Sequence, residues 1–216
     1  MKLFIIVLFS QLFSSCTANI TCRNIANANV ADTQLNGIKK AEQLKRAYQK
    51  VSSSPYTIKY QQEYFAAFPN TFNLFNHLFG YSDKDPLGEP VSDFNSPLYN
   101  KAYLYVEAFF KLTVIPKNQY YNRMIDISIN GRWYADGVGY FQHAMQEKLK
   151  SDTSVFLELL AKRSDKEIKS FWYFYFDGPH PVKELPDELQ KLRGTVNRIF
   201  LLMELALKEV QQAWKE

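Results

Sequence analysis

The segment Asp177-Gly178-Pro179-His180-Pro181 places a carboxylate and an imidazole three residues apart. Prolines on both sides of His180 restrict the backbone, and Asp177-Gly178 is typical of a tight turn. An imidazole held rigidly near a carboxylate can serve as a general base or belong to a structured binding loop. The alternative is a stiff loop that only ends a helix, with His180 near the negative end of that helix.

The other two histidines, His77 and His143, are far apart in the sequence, and no HExxH motif occurs. A metal site would therefore have to be assembled by the fold. The chain also lacks a G-x-S-x-G motif and a phosphate-binding loop, and it predicts no cofactor. This pattern favours binding over catalysis. The enzyme alternative is a hydrolase of cell-wall or sugar substrates that uses His180 or His143 with Asp177.

A second stiff turn runs from Asn130 to Gly137 and contains Arg132 and Trp133. Arginine and tryptophan are typical anchors of protein interfaces. We therefore expect Arg132, Trp133, Asp177 and His180 to contact a protein partner. The sequence does not decide whether the two turns lie on the same side of the fold.

Six consecutive aromatic residues, from Phe171 to Phe176, cover every side of a predicted helix. A helix that is apolar all round is normally buried, which favours a central core helix. The alternative is a helix whose outer face, with Trp172, Tyr173 and Phe176, meets a partner.

Helical periodicity predicts an all-α, single-domain bundle of about seven to nine helices within residues 32–216. Ser96 and Pro97 are expected to begin one helix, and Ser164 with Glu167 forms a capping box before another. The alternation of Ile125, Ile127 and Ile129 leaves a strand as the alternative to a helix over 118–129. Residues 81–96 are predicted to form a loop. The remaining predicted helices cover 32–51, 60–68, 71–79, 136–150 and 152–163.

The C-terminal region has the clearest helical pattern. Apolar residues recur at steps of three and four and predict one long helix with a continuous buried seam: Leu189, Leu192, Val196, Ile199, Met203, Leu207, Val210 and Trp214.

The N-terminal residues have the layout of a secretory signal, with Lys2 followed by an apolar run from Leu3 to Phe9. This run is too short to span a membrane. Phe13-Ser14-Ser15 before Cys16 resembles a bacterial lipobox, in which the cysteine becomes diacylated and starts the mature chain. This resemblance implies a signal peptide over 1–15, a lipidated Cys16 and a flexible tether over 16–31. Ordinary cleavage after Ala18 is the alternative.

The only other cysteine is Cys22, so no disulfide can hold the helical domain together. Its core must do so, and the 17 Phe, 14 Tyr and 3 Trp residues supply large apolar side chains for it.

The net charge of +4 is too low to predict nucleic-acid binding. We therefore expect an exported, lipid-anchored protein that binds a protein partner in the periplasm. By analogy with other envelope-anchored helical proteins, one specific version is immunity to an envelope-acting toxin. A purely structural envelope protein is a third possibility.

Overall fold

The computed structural model describes residues 37–84, 90–134 and 136–215. The predicted signal peptide, Cys16, Cys22, the predicted tether and residues 32–36 of the first predicted helix lie outside these ranges.

The all-α bundle predicted from the sequence is confirmed, with ten α-helices and one small hairpin in the described ranges. Within the part described, no helix has both the length and the apolar character needed to cross a membrane. The elements in chain order are α1 (37–53), α2 (Ile58–Ala67), α3 (Phe72–Phe79), β1 (Tyr81–Lys84), β2 (Pro90–Asn95), α4 (Ala102–Phe110), α5 (Lys117–Ser128), α6 (Asp136–Ser151), α7 (Thr153–Ala161), α8 (Asp165–Phe176), α9 (Asp187–Gln190) and α10 (Asn197–Ala213).

Aromatic rings from separate helices fill the centre of the bundle. The ring of Phe109 lies 4.2 Å from that of Phe68 and 5.1 Å from that of Tyr120. The rings of Phe75 and Phe141 are 5.0 Å apart. Much of the chain's high aromatic content therefore serves the core, where each ring buries a large apolar area.

Helix α8 is the central helix that its aromatic run predicts. Phe171, Trp172 and Phe174 have no exposed surface, and Tyr173 is half-buried. Ser164 caps the helix as expected, because its hydroxyl accepts from Glu167 N–H and the Glu167 carboxylate accepts from Ser164 N–H. Of the alternative outer face, Trp172 has no exposed surface and Phe176 is 6% exposed.

Helices α8 and α10 lie side by side and run in the same direction. Near their starts, Arg198 pairs with Asp165 at 2.6 Å. At their ends, the indole Nε1–H of Trp214 donates to the carboxylate of Asp177 at 2.8 Å. The long connection between these helices therefore returns across the bundle and carries the 177–186 loop.

The prediction of a loop over 81–96 was wrong, because β1 and β2 pair antiparallel there, with Tyr81 opposite Asn95. Two further bonds continue this pairing, from Ser96 N–H to Gly80 O and from Leu98 N–H to Leu78 O. The acidic, proline-containing sequence has low strand propensity, so its pattern gave little signal.

The predicted start of a helix at Ser96 and Pro97 was also wrong. The Ser96 hydroxyl donates to Asn76 O at 3.1 Å instead of capping a helix. A short 3₁₀ turn, Tyr99–Lys101, precedes α4. Ser96 thus fastens the base of the hairpin to α3.

The single long C-terminal helix is divided in the structure into α9 and α10. Between them Gly194 adopts φ +82°, a left-handed conformation that glycine tolerates best and that commonly ends helices. The predicted seam is still largely buried, at Leu189 and from Ile199 to Val210. Trp214, its last member, is 39% exposed.

Truncation after Arg193 is expected to prevent stable folding. It removes α10, including the buried Ile199, Met203, Leu207 and Val210. Losing one large core side chain typically costs about 2 to 5 kcal/mol, against a total stability of about 5 to 15 kcal/mol. Circular dichroism and limited proteolysis measure the result, with truncation after Trp214 as the control. A cooperative unfolding transition in the shorter chain would contradict this role for α10.

Candidate functional site

Asp177 follows the last residue of α8 and joins three parts of the chain. The side chain is 6% exposed, and its two carboxylate oxygens have different partners. One accepts from the backbone N–H of Trp133 at 2.7 Å, and the other accepts from Trp214 Nε1–H at 2.8 Å. Hydrogen bonds to a buried charged group are stronger than those between neutral groups. We call Asp177, Trp133 and Trp214 the Asp177 junction.

The two indole rings of the junction also touch. The rings of Trp133 and Trp214 meet edge to face, with centroids 5.9 Å apart. Such aromatic pairs are stabilising beyond the area that they bury. The turn after α5 and the end of α10 are thereby held together on one side of the bundle.

The turn that carries Trp133 packs closely against α8. Helix α5 is helical to Ser128, as the periodicity predicted, and Asn130 then adopts φ +60°. A Cβ atom on Gly131 would lie 2.4 Å from the ring of Phe174, so only glycine fits between the turn and α8. The Asn-Gly pair therefore ends α5 and begins the turn.

Two glutamines of α6 satisfy the carbonyl groups at the end of α8. Gln142 Nε2 donates to the carbonyl oxygens of Phe174 and Asp177, the latter at 2.6 Å. Gln146 Nε2 donates to Tyr175 O at 2.8 Å. Helix ends leave their last carbonyls without helical partners, and these amides supply them.

The loop after Asp177 is held by a second attachment, to α10, five residues later. Gln211 of α10 donates from Nε2 to Val182 O at 2.9 Å and to Lys183 O at 2.8 Å. Between these two attachments, Pro179 and His180 are exposed. The loop therefore presents His180 on a backbone that is held at both ends and restricted by prolines.

A groove of about 530 Å³ lies between these elements. Trp133, Tyr175 and Phe176 contribute aromatic walls, and polar and charged groups come from α6, the loop and α9. The lining residues are Trp133, Gln142, Gln146, Lys150, Tyr175, Phe176, Asp177, Gly178, Pro179, His180, Val182, Pro186 and Glu188. An aromatic cleft with a few placed polar groups is the usual form of a binding site.

Groups of both charges line one side of the groove. The hydrogen bond with Glu147, 2.8 Å long, raises the pKa of Lys150 and keeps its ammonium group charged. Burial raises the pKa of Tyr175 to about 12, with a further contribution from the charge of Glu188. The Tyr175 hydroxyl is therefore protonated at neutral pH and can donate a hydrogen bond.

The structure brings three of the four predicted contact residues to this groove: Trp133, Asp177 and His180. Asp177 is buried and bonded within the chain, so its role there is to position Trp133. Arg132 is exposed but lies outside the lining, with its guanidinium 3.9 Å from the ring centre of Tyr173. The two predicted turns therefore do lie on the same side of the fold.

The histidines of the hydrolase alternative, His180 and His143, are not hydrogen-bonded to Asp177 in the part of the chain described. The oxygens of Asp177 accept from the backbone N–H of Trp133 and the indole N–H of Trp214. His143 is exposed on α6 and does not line the groove. Across the described ranges, no group of three His, Cys, Asp or Glu side chains is arranged to hold a metal ion.

The polar side chains that α6 contributes to the groove were not predicted from the sequence. Gln142, Gln146 and Lys150 follow at steps of four along α6, a spacing that places them on one helical face. This regular stripe was the available signal. Trp214 was predicted as the last core residue of its helix, and its bond to Asp177 depends on a contact 37 residues away.

No protein-family model matches the chain, and neither a curated protein nor a solved structure matches it significantly.

Replacing Asp177 by asparagine tests the junction. The substitution keeps the shape of the side chain but replaces one acceptor by an amide that faces a donor N–H. Leaving such a buried donor unpaired typically costs about 1 to 3 kcal/mol. Urea unfolding of Asp177→Asn is therefore expected to show a lower midpoint, whereas Asp187→Asn on the exposed surface of α9 leaves it unchanged. Equal midpoints would show that the junction contributes nothing.

Proposed function

We propose that this chain is an exported, lipid-anchored protein that binds a protein partner stoichiometrically through the groove between the 130–134 turn and the 177–186 loop. The observation that carries the proposal is the convergence of these two stiff turns on one aromatic groove. Arg132 and His180 are exposed beside it, and Trp133 is half-buried in its wall.

The rigidity of the groove supports a binding role. The Asp177 junction fixes one wall, and Gln211 fixes the loop opposite at Val182 and Lys183. A surface that is ordered before binding loses little conformational freedom on association. Aromatic and arginine side chains around such a surface are the residue types that contribute most to protein interfaces.

The leader supports the location. The apolar run from Leu3, followed by small residues before Cys16, favours export and lipidation. In its most specific form, the proposal identifies the partner as a toxin that acts in the envelope and is neutralised by this chain. That form rests on analogy with other anchored helical proteins, and a toxin encoded beside this chain would support it.

Alanine variants around the groove test the binding. Trp133→Ala is expected to weaken binding to the partner by about 30-fold or more, since a hot-spot residue contributes at least about 2 kcal/mol. His180→Ala, which removes an exposed side chain, is expected to weaken binding about fivefold, the effect of losing about 1 kcal/mol. Pull-down from envelope extracts identifies the partner, and titration with purified chain measures affinity.

His143→Ala is the matched control, because it removes an exposed imidazole outside the groove. Circular dichroism checks that each variant keeps the helical spectrum. Unchanged affinity in both Trp133→Ala and His180→Ala would move the interface elsewhere. Failure to recover any partner, together with cell-wall hydrolysis that disappears in His180→Ala, would replace the proposal by the enzyme alternative.

Cys16→Ser tests the anchor. Without the thiol, diacylation cannot occur, so metabolic fatty-acid labelling is expected to disappear and the chain to leave the membrane fraction. Cys22→Ser is the matched control and is expected to keep both the fatty-acid label and the membrane association. Equal labelling of the wild type and Cys16→Ser would exclude lipidation at this residue.

A further inference from the structure

The positive charge of this chain is concentrated in α1 and α2. Of its 26 basic and 22 acidic residues, six basic and two acidic residues lie within 37–67. The rest of the chain therefore has 20 of each and no net charge. A charge imbalance confined to one part of a protein indicates a surface for a partner of opposite charge.

Lys39, Arg46 and Lys50 lie on the outer face of α1, and Lys40 is exposed at the start of this helix. Ala41, Leu44 and Val51 are buried, and Lys39 and Arg46 are exposed on the opposite side of the helix. The surface continues onto α2, because the Lys50 ammonium bonds to Glu63 at 2.7 Å and lies 5.9 Å from the ring centre of Tyr60.

The two acidic side chains of this surface are already paired. Glu42 bonds to Lys45 at 2.7 Å, and Glu63 lies between Lys50 and Lys59. These lysines lower the pKa of each carboxyl group, so both acids stay ionised and engaged. Lys39, Lys40 and Arg46 form no ion pair within the part of the chain that the structure describes.

Exposed apolar side chains accompany these cations. Tyr56 is 91% exposed, Ile58 59% and Ile38 54%. Ile38 lies at the start of α1, Ile58 begins α2, and Tyr56 lies in the turn between the two helices. Tyr56 borders a groove of mixed character, which Leu104, Leu112 and Glu107 also line. Basic residues interleaved with exposed tyrosine and isoleucine are typical of protein surfaces that lie on a membrane.

We propose that the α1–α2 surface, formed by Lys39, Lys40, Arg46, Lys50, Tyr56 and Lys59, contacts anionic phospholipid headgroups. Helix α1 is described from residue 37, only 21 residues after Cys16, and 21 residues cannot span more than about 75 Å. A lipid on Cys16 therefore keeps α1 within that distance of the bilayer, from which its surface can reach the headgroups. One lipid anchor combined with a basic surface is a known route to stable attachment. The inference rests on the membrane location in the proposed function but not on the groove.

Lysine footprinting tests the contact. The mature chain isolated from cells is added to vesicles of phosphatidylcholine alone or of phosphatidylcholine with phosphatidylglycerol. A water-soluble acylating reagent then labels accessible lysines for mass spectrometry. Lys39, Lys40 and Lys59 are expected to react several-fold more slowly on the anionic vesicles, and high salt is expected to restore their reactivity. Lys166 and Lys208, exposed on α8 and α10, are expected to react equally on both.

The double variant Lys39→Glu, Arg46→Glu is expected to remove the protection at Lys40 and Lys59. Each basic side chain near an anionic surface strengthens attachment about fivefold, so loss of two weakens the contact about 30-fold, and repulsion by the two new carboxylates weakens it further. Lys166→Glu with Lys208→Glu makes the same change in net charge elsewhere and is expected to keep the protection. Circular dichroism confirms that both variants fold.

Sedimentation with the phosphatidylcholine vesicles reports the anchor separately. A chain that stays in solution with them lacks the lipid, which contradicts the anchor, whereas the headgroup contact is judged by the footprint on anionic vesicles alone. Equal lysine reactivity on the two vesicle types overturns the membrane contact. Protection that appears only after an envelope protein is added overturns it as well, because the surface then belongs to a protein partner.

Discussion

The burial of α8 is the constraint on which the rest of the fold depends. Phe171, Trp172 and Phe174 point in different directions around the helix, and none retains exposed surface. Neighbouring helices must therefore enclose α8, since a helix that is apolar all round is stable only when it is surrounded. Helix α10 packs along it, and glycine at 131 lets the turn after α5 approach within contact of the Phe174 ring. Without a cysteine in the described part of the chain, this packing takes the place of covalent links.

The groove exists because of the way α8 ends. The last turn of the helix is still buried, so its free carbonyls and the Asp177 carboxylate all need hydrogen-bond donors. Gln142 and Gln146 supply amides, and Trp133 and Trp214 supply N–H groups. The same donors bring α6, the turn after α5 and the end of α10 around one cavity. The requirements of the core thus determine where a recognition surface can lie.

Patterns that act over one or two helical turns predicted the structure well. The aromatic run of α8 and the Ser164 capping box fall into this class, because periodicity and capping are local. Two kinds of feature were missed: contacts between distant residues, and a helix break that the apolar pattern does not reveal. Ser96 bonds to Asn76 across the base of a hairpin with little strand signal, and the left-handed Gly194 interrupts a helix whose apolar pattern continues through it.

In the candidate site, too, local features were predicted from the sequence and contacts between distant residues were not. The two stiff turns were recognised from proline, glycine and Asn-Gly, whose backbone preferences are intrinsic. Their convergence was not, since it requires Asp177 to meet partners 44 and 37 residues away. The amides of α6 already bond to the last carbonyl groups of α8, so the following loop is not needed to end this helix. Residues 178–181 can therefore change during evolution without unwinding the helix, so new specificities can arise here while the scaffold is conserved.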